Sequence, residues 1–469
     1  MKKQLFTKWY VKYLILLACI GILLVVPMLR PSYMGFVGEE SYLNLRLAED
    51  PGVYDRYSFG GTFAAYEWGT PLVLSIAPGL MIEVLPLVLG VLSFILLWLI
   101  IKKLEDDPKI QKLTMVLFLL SPTFIYLFSF GNSLFIPTFL CILAFFLFMQ
   151  KKFSWLSIPI VLILPMFNII LLASLILCMF FYAFYQDKNK KKLFIVLLIV
   201  ALLASVFYYG NILYNAGFPE RISQGETNWY DIFQKVIYDF GSSYGIGIFL
   251  LALSITGMLF LWKKKYTNLF VFFSLGSLII FSLFRIEALI FLNIFLCVLG
   301  AFGIRSFLEK KKNSVITYIL IIMVCGIVFS GISQLNYLTD AEPTRGEVEA
   351  MEYLQTRDEG AVFSDYTNGV WIAYGGHKNF VDSNYLFVDD APERFEIMEE
   401  LYYNRNLDEV NAIFDEYDIK YVWIDEQMRE DIWEYDSQGL LFILQNTRDF
   451  IKLYDKDGVE IWVREDLDA

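Results

Sequence analysis

The sequence predicts a polytopic α-helical membrane protein of about eleven transmembrane helices that carries a C-terminal soluble α/β domain. Three observations lead there. The 469 residues are 57% apolar and 17% aromatic, more than a soluble domain of ordinary composition carries. Basic residues gather in short clusters between long apolar runs. From residue 340 onward the character changes, with 33 acidic side chains against 11 basic ones. Since the whole chain has a net charge of −12, the part before residue 340 carries about +10. Two physically different objects follow: residues 1–339 in lipid, with a long outer loop at 30–70, and residues 340–469 as an acidic domain in water. An acidic water-soluble part argues against a nucleic-acid partner.

The runs at 11–29, 85–101, 193–213, 245–262 and 315–333 carry no charge apart from Lys12. Each is close to the ~20 residues that a helix needs to cross ~30 Å of hydrocarbon. Lys2, Lys3, Lys8 and Lys12 lead into the first run, which is too long for a signal peptide and has no small-x-small cleavage site before Tyr33, so it reads as a retained anchor. The basic clusters at 2–12, 102–112, 151–152, 188–192, 263–265 and 305–312 mark cytoplasmic loops. Crossing out and back between them gives spans near 11–29, 81–101, 112–122, 134–150, 155–167, 168–186, 193–214, 245–262, 268–284, 288–304 and 314–333. An odd number puts the N-terminus in the cytoplasm and residues 340–469 outside the plasma membrane. The outer connections 30–70, 121–133, 216–243 and 285–287 hold a single lysine, Lys235. Two segments, 111–121 and 155–167, are too short to cross alone, and Pro122, Pro137, Pro159 and Pro165 would kink or break helices there. Such pieces survive at membrane depth where protein, or a water-filled cavity, surrounds them.

All five cysteines lie in apolar spans, so the exterior domain has no disulfide, and no Cys/His metal pattern occurs. In that domain the periodicity predicts helices at 346–356, 369–374, 392–403 and 407–417, and strands at 360–364, 379–382 and 420–424. A hairpin, 450–455 with 459–464, turns at Lys456-Asp457-Gly458.

The outer loop at 30–70 is long for a chain whose other connections are tight. Glu39 and Glu40 follow the first span, with Tyr42 and Arg46 on the next helical turns. A carboxylate that deprotonates an acceptor hydroxyl, beside a cation that holds a phosphate leaving group, needs these residue types at a water–lipid boundary. They also read as an ordinary helix start, the two acids complementing the dipole and Arg46 pairing with one of them.

The stretch Glu40-Ser41-Tyr42-Leu43-Asn44-Leu45-Arg46 resembles the acidic-x-aromatic-aromatic-polar-x-Arg motif that opens the first outer loop of the GT-C superfamily of polyprenyl-phosphate-dependent glycosyltransferases. Archaeal relatives of the oligosaccharyltransferase catalytic subunit and the family 39 enzymes look most similar. Asp55-Arg56-Tyr57-Ser58-Phe59-Gly60-Gly61 and Tyr66-Glu67-Trp68-Gly69-Thr70-Pro71-Leu72 resemble the second half of that loop, and Leu120-Ser121-Pro122 falls where the family has its next landmark. The resemblance implies that Glu40, or its neighbour Glu39, is the loop-one carboxylate, with Glu40 favoured by its distance from Tyr42 and Arg46. It implies that Tyr42, Arg46 and Glu226 bind the substrate or its lipid phosphate, Glu226 through Ile222-Ser223-Gln224-Gly225-Glu226; apart from the resemblance, Arg285 and Glu287 at the outer ends of two spans read either as a clamp on a lipid phosphate or as a mutual salt bridge or snorkelling pair. Ser364-Asp365-Tyr366-Thr367-Asn368-Gly369 and Asn379-Phe380-Val381-Asp382-Ser383-Asn384 are similar to the family's Trp-Trp-Asp-Tyr-Gly region and the V-D-x-N after it, making Asp365, Tyr366 and Asp382 acceptor-region candidates.

Departures from the family shape the expectation. The tryptophan pair is absent, two residues separate Tyr366 from Gly369, and Phe130-Gly131-Asn132-Ser133 lacks the Asp-x-Asp that would hold a divalent cation. No cofactor is expected. The expected reaction is transfer of a sugar from a polyprenyl (dolichyl) phosphate to a glycan or protein acceptor on the outer face, in protein glycosylation or surface-glycan assembly. A non-catalytic scaffold of the same fold is the alternative. A transporter is disfavoured because its ionisable groups belong near the midplane, and these spans are nearly charge-free. His377, the single histidine, follows Gly375-Gly376 and reads as a turn residue.

Overall fold

A computed structural model describes residues 2–52, 54–63, 66–217, 234–262, 269–309, 314–433, 435 and 437–465. The chain divides into two compact units. One comprises Met1–Arg30, Glu67–Tyr208 and Gly225–Asp340, and the other Pro31–Tyr66, Tyr209–Gln224 and Ala341–Ala469. The outer loop expected as part of the membrane domain thus belongs to the same unit as the C-terminal α/β region.

In the first unit, helices occupy every predicted span. Among the described residues six are long and apolar enough to cross a membrane by themselves, or seven if Pro108–Leu119 and Pro122–Ser129, bent by 61°, form one broken span. Four further apolar helices, Phe135–Met149, Ser154–Met166, Ile248–Trp262 and Leu269–Phe284, have only 10–17 residues. At ~1.5 Å per residue these fall short of ~30 Å, so length and composition support six or seven spans and not the expected eleven. The prolines act differently from the expectation: Pro122, Pro137 and Pro159 all lie in the first turn of a helix, where they kink nothing. Pro122 does not kink a helix; it opens one, with Ser121 as the N-cap whose hydroxyl accepts from Phe124 N, the position where a missing N–H costs nothing. The break between the two helices sits at Leu120-Ser121.

Helices Ile248–Trp262 and Leu289–Glu309 pack backbone to backbone. Ser254 Oγ donates to Leu296 O at 2.8 Å. A methyl group at Gly257 would lie 1.8 Å from Leu299 O, and one at Gly303 would lie 2.2 Å from Leu253 O. Small residues are what such contacts require in lipid, where no hydrophobic gain brings helices together.

In the second unit, Tyr54–Asp55 (β1) and Thr62–Phe63 (β2) form a small antiparallel ribbon. Ala361–Phe363 (β3), Lys378–Asn379 (β4), Ile419–Ile424 (β5), Phe450–Lys456 (β6) and Val459–Arg464 (β7) form a mixed sheet of order β4-β3-β5-β7-β6. Strands β4, β3 and β5 are parallel, and β5, β7 and β6 are antiparallel. Alternate residues serve opposite faces, as strand geometry dictates. Ala361, Phe363, Val422, Ile424 and Trp462 enter a core closed by helices Ala391–Tyr403, Leu407–Glu416 and Gly439–Asn446. Val362, Tyr421, Trp423, Ile461 and Val463 enter another, closed by helices Arg345–Leu354 and Gly369–Tyr374. The β6–β7 turn has positive φ at Asp457 (46°) and Gly458 (86°), the geometry that matches the twist of a two-residue hairpin. Helix Arg345–Leu354 begins with a capping box, Thr344 with Glu347. Helices Glu426–Asp431 and Gly439–Asn446 fall outside the predicted elements.

The helix contact in the first unit makes a direct prediction. Gly257→Ala forces a methyl group into a backbone carbonyl and should lower stability by about 1–3 kcal/mol. Gly276→Ala, where nothing lies within 4 Å, should not destabilise at all. Thermal unfolding of the detergent-solubilised protein compares the two; equal melting temperatures would refute the close contact.

Candidate active site

The helix Glu39–Glu49 starts at Gly38, whose φ of 73° excludes a side chain without strain and whose N–H donates to Glu342 O at 2.7 Å. Glu39 and Glu40 occupy its first turn, where orphan N–H groups favour negative charge. Glu39 is half-buried and accepts a hydrogen bond from Ser383 Oγ. Burial, reinforced by the nearby charges of Asp382, Glu40 and Glu342 and only partly opposed by the Ser383 bond, raises its pKa to about 7. Tyr366 lies close enough for the Glu39 charge to help hold its hydroxyl protonated, although burial is the larger cause. It is 38% exposed and packs on Phe395, which also packs on Tyr385.

Arg46 has a different partner from the one expected. It does not pair with Glu39 or Glu40; its guanidinium grips Asp55 in a fork, Nη1 to Oδ1 at 2.6 Å and Nη2 to Oδ2 at 2.8 Å. A carboxylate nine residues later, on the β1 strand, meets two N–H groups at once, the bidentate pairing that makes such bonds strong. Tyr66 also donates to Asp55 at 2.6 Å, and the N–H of Tyr57 at 3.0 Å. Burial opposes both charges, yet the pairing outweighs it, holding Asp55 below the usual carboxylate range and Arg46 above its usual value. Tyr42 is 3% exposed and stacks edge-on against Trp371 at 5.1 Å and Tyr374 at 4.8 Å. It is a core residue of this unit, and its hydroxyl accepts from Phe36 N.

Asp382 is fully buried. It accepts from Ser58 Oγ at 2.6 Å, Asn379 Nδ2 at 3.1 Å and Asn384 N at 2.6 Å; burial still leaves its pKa raised. Gly369 makes room for it, since a methyl group there would sit 2.2 Å from Asp382 Cβ. Asn379 takes Tyr57 O and Phe59 N as partners, fixing Phe59 at a φ of 49°. Asp365 caps the turn Tyr366–Asn368 and accepts from Tyr402 OH at 2.8 Å. Arg285 belongs to the first unit, where it is exposed and precedes the short helix Ile286–Ala288 that contains Glu287. Glu226 lies outside the described residues. His377 is buried with Nε2 against Leu354 O at 2.8 Å, and burial depresses its pKa.

The second unit therefore brings Glu39, Glu40, Tyr366 and Asp382 together and commits Arg46, Tyr42 and Asp365 to its framework. Ser383, Asp55, Ser58 and Asn379 were not foreseen in these roles. All four lie in the quoted stretches 55–61 and 379–384, which carried the sequence signal. Among the described residues no three Asp, Glu, His or Cys side chains form a metal-ligand set.

Arg46→Leu would leave Asp55 buried and unpaired at a cost of about 3–5 kcal/mol, and Arg46→Lys, which loses the fork but keeps the charge, should cost less. Because the folded pKa of Asp55 is depressed, the pair's stabilisation is fully present above the normal carboxylate range and fades as pH falls through the folded value. Unfolding followed by limited proteolysis of the C-terminal unit, at neutral and acid pH, should show the wild-type advantage shrinking in acid.

No protein-family model matches the sequence, and no curated protein matches it. Solved structures do. The archaeal oligosaccharyltransferase AglB from Archaeoglobus fulgidus, in complex with an inhibitory peptide and a dolichol-phosphate, superposes with a TM-score of 0.61 at 12% identity over 98% of this chain and 75% of that one. The mycobacterial arabinofuranosyltransferase AftD gives 0.59 at 14% identity over 97% of this chain, which spans 40% of its length. ArnT from Cupriavidus metallidurans, bound to undecaprenyl phosphate, gives 0.56 at 9% identity over 97% and 98% of the two chains. The chain has a GT-C-like fold.

Proposed function

We propose that this chain is a membrane glycosyltransferase that moves a sugar from a polyprenyl-phosphate donor to a hydroxyl of a glycan or protein acceptor on the outer face of the membrane. The observation that carries the reading is Glu39, a half-buried carboxylate at a helix start, oriented by Ser383, whose pKa near 7 suits a general base at neutral pH. In the proposed step Glu39 takes the acceptor hydroxyl proton as that oxygen attacks the anomeric carbon. The bond from that carbon to the phosphate oxygen breaks, and polyprenyl phosphate leaves as an anion. The structural likeness to complexes with dolichol-phosphate and undecaprenyl phosphate supports this donor class. The carboxylate-poor loop 130–133 supports transfer without a metal.

Two experiments test it. Membranes containing the protein, supplied with radiolabelled dolichyl-phosphate hexoses in EDTA, should transfer label. The rate should rise as pH passes through about 7, because a base accepts a proton only when ionised. Glu39→Gln should lose about 10²–10⁴-fold in rate while remaining folded; a parental rate would leave the scaffold reading ahead, and activity restored only by Mg²⁺ or Mn²⁺ would refute the metal-free mechanism. Separately, protease added to intact cells should remove residues 340–469, and full protection would overturn the outer-face placement.

A further inference from the structure

A second polar site lies within the helical unit, apart from Glu39. A cavity of about 360 Å³ is lined by Tyr238, Asp239, Phe329, Ser330, Ser333 and Tyr337, among others. The first two residues belong to the connection before helix Ile248–Trp262, and the other four to the C-terminal half of helix Ser314–Asp340. Its polar groups are fixed. Asp239 Oδ1 accepts from Ser330 Oγ at 3.0 Å, Asp239 Oδ2 from Ile248 N at 2.6 Å, and the hydroxyls of Tyr238 and Ser333 lie 3.2 Å apart. Each carboxylate oxygen keeps a lone pair beyond these contacts. Phe329 and Tyr337 are 69% and 54% exposed on the outer surface of an apolar helix.

We propose that this cavity binds a neutral sugar ring, presented by the headgroup of a membrane glycolipid. A sugar shows apolar C–H faces and a rim of hydroxyls. Aromatic rings take the first, and a fixed carboxylate with serine and tyrosine hydroxyls takes the second. The described lining has a carboxylate and no Lys or Arg, so a phosphate would meet repulsion and no compensating cation; the site is therefore not a second site for the proposed donor. Its size falls at the lower end for small-molecule sites, and its exposed aromatic residues on an apolar helix open it to a ligand arriving within the bilayer.

The test uses the whole protein, purified in a detergent without a sugar headgroup and reconstituted in phosphatidylcholine nanodiscs. These contain equal fractions of monoglucosyl diacylglycerol, phosphatidylglycerol and phosphatidylethanolamine, and retained lipid is read by native mass spectrometry. Preferential retention of the glucosyl lipid is expected. Ser333→Phe, which fills the cavity, and Tyr337→Leu, which removes a ring and a hydroxyl, should each abolish the preference without changing the melting temperature; if one variant fails to fold, the other decides. Titration with methyl glucoside distinguishes the sources: binding of both ligands means that the ring suffices, and binding of the glycolipid alone means that the site is reached from the bilayer. Preference for phosphatidylglycerol or phosphatidylethanolamine, no preference, or a preference that survives both variants would overturn the proposal.

Discussion

The candidate active site depends on one junction inside the second unit, where residues 57–59 of the outer loop are held by Asn379 and Asp382. Asn379 N donates to Tyr57 O, Phe59 N donates to Asn379 Oδ1, and Ser58 Oγ donates to Asp382. Phe59 is then buried among Phe363, Phe380 and Met398 of the α/β core, in a left-handed conformation that a phenylalanine adopts only when its surroundings over-determine it. On the opposite face of the sheet, Tyr42 is buried with Trp371 and Trp423. A loop pinned through both cores is as rigid as the domain it joins. Glu39 can therefore meet Ser383, 344 residues away, in a defined orientation. The Arg46–Asp55 fork adds internal stiffness by tying the loop's helix to its ribbon.

This arrangement explains which parts were legible in the sequence. Hydrophobic length and lysine asymmetry placed the long helices of the first unit, because lipid leaves the backbone no alternative to internal hydrogen bonding, but not the short helices Gly69–Leu74 and Pro122–Ser129. Period-2 and period-3.6 patterns located the α/β elements through Gly369–Tyr374 and the β6–β7 hairpin, where turn chemistry is local. Helix Gly439–Asn446 was missed because its residues Leu440, Leu441, Ile443 and Leu444 are buried, so it has no polar stripe to reveal its period. The number of crossings is harder to read: an apolar run of 13–17 residues looks like a span in sequence, while helix length alone supports six or seven among the described residues.

Partners were harder to read than elements. Arg46 beside two glutamates looks like an intrahelical pair, and nothing local marks Asp55 as the better acceptor; only the fold of β1 brings both of its oxygens to the guanidinium. The motif around Asp382 was visible, yet the residue of that motif that reaches Glu39 is the serine beside it. Spacing reports which residues share a helical face, and it carries no information about contacts between segments more than 300 residues apart. Such contacts had to come from the three-dimensional structure.

Burial raises the pKa of two carboxylates of this unit, which reach different ends. Asp382 is sealed from solvent and receives three donors, Ser58 and Asn379 on Oδ2 and Asn384 N on Oδ1. Its work is to hold the loop. Glu39 receives a hydroxyl from Ser383, keeps partial access to solvent and feels the negative charge of its neighbours, Asp382 among them. Asp382 thus raises the proton affinity of Glu39, so the residue that anchors the loop also tunes the carboxylate proposed as the base. Separating the two functions by mutation requires variants at Glu39 itself, since any change at Asp382 alters both the anchor and the field.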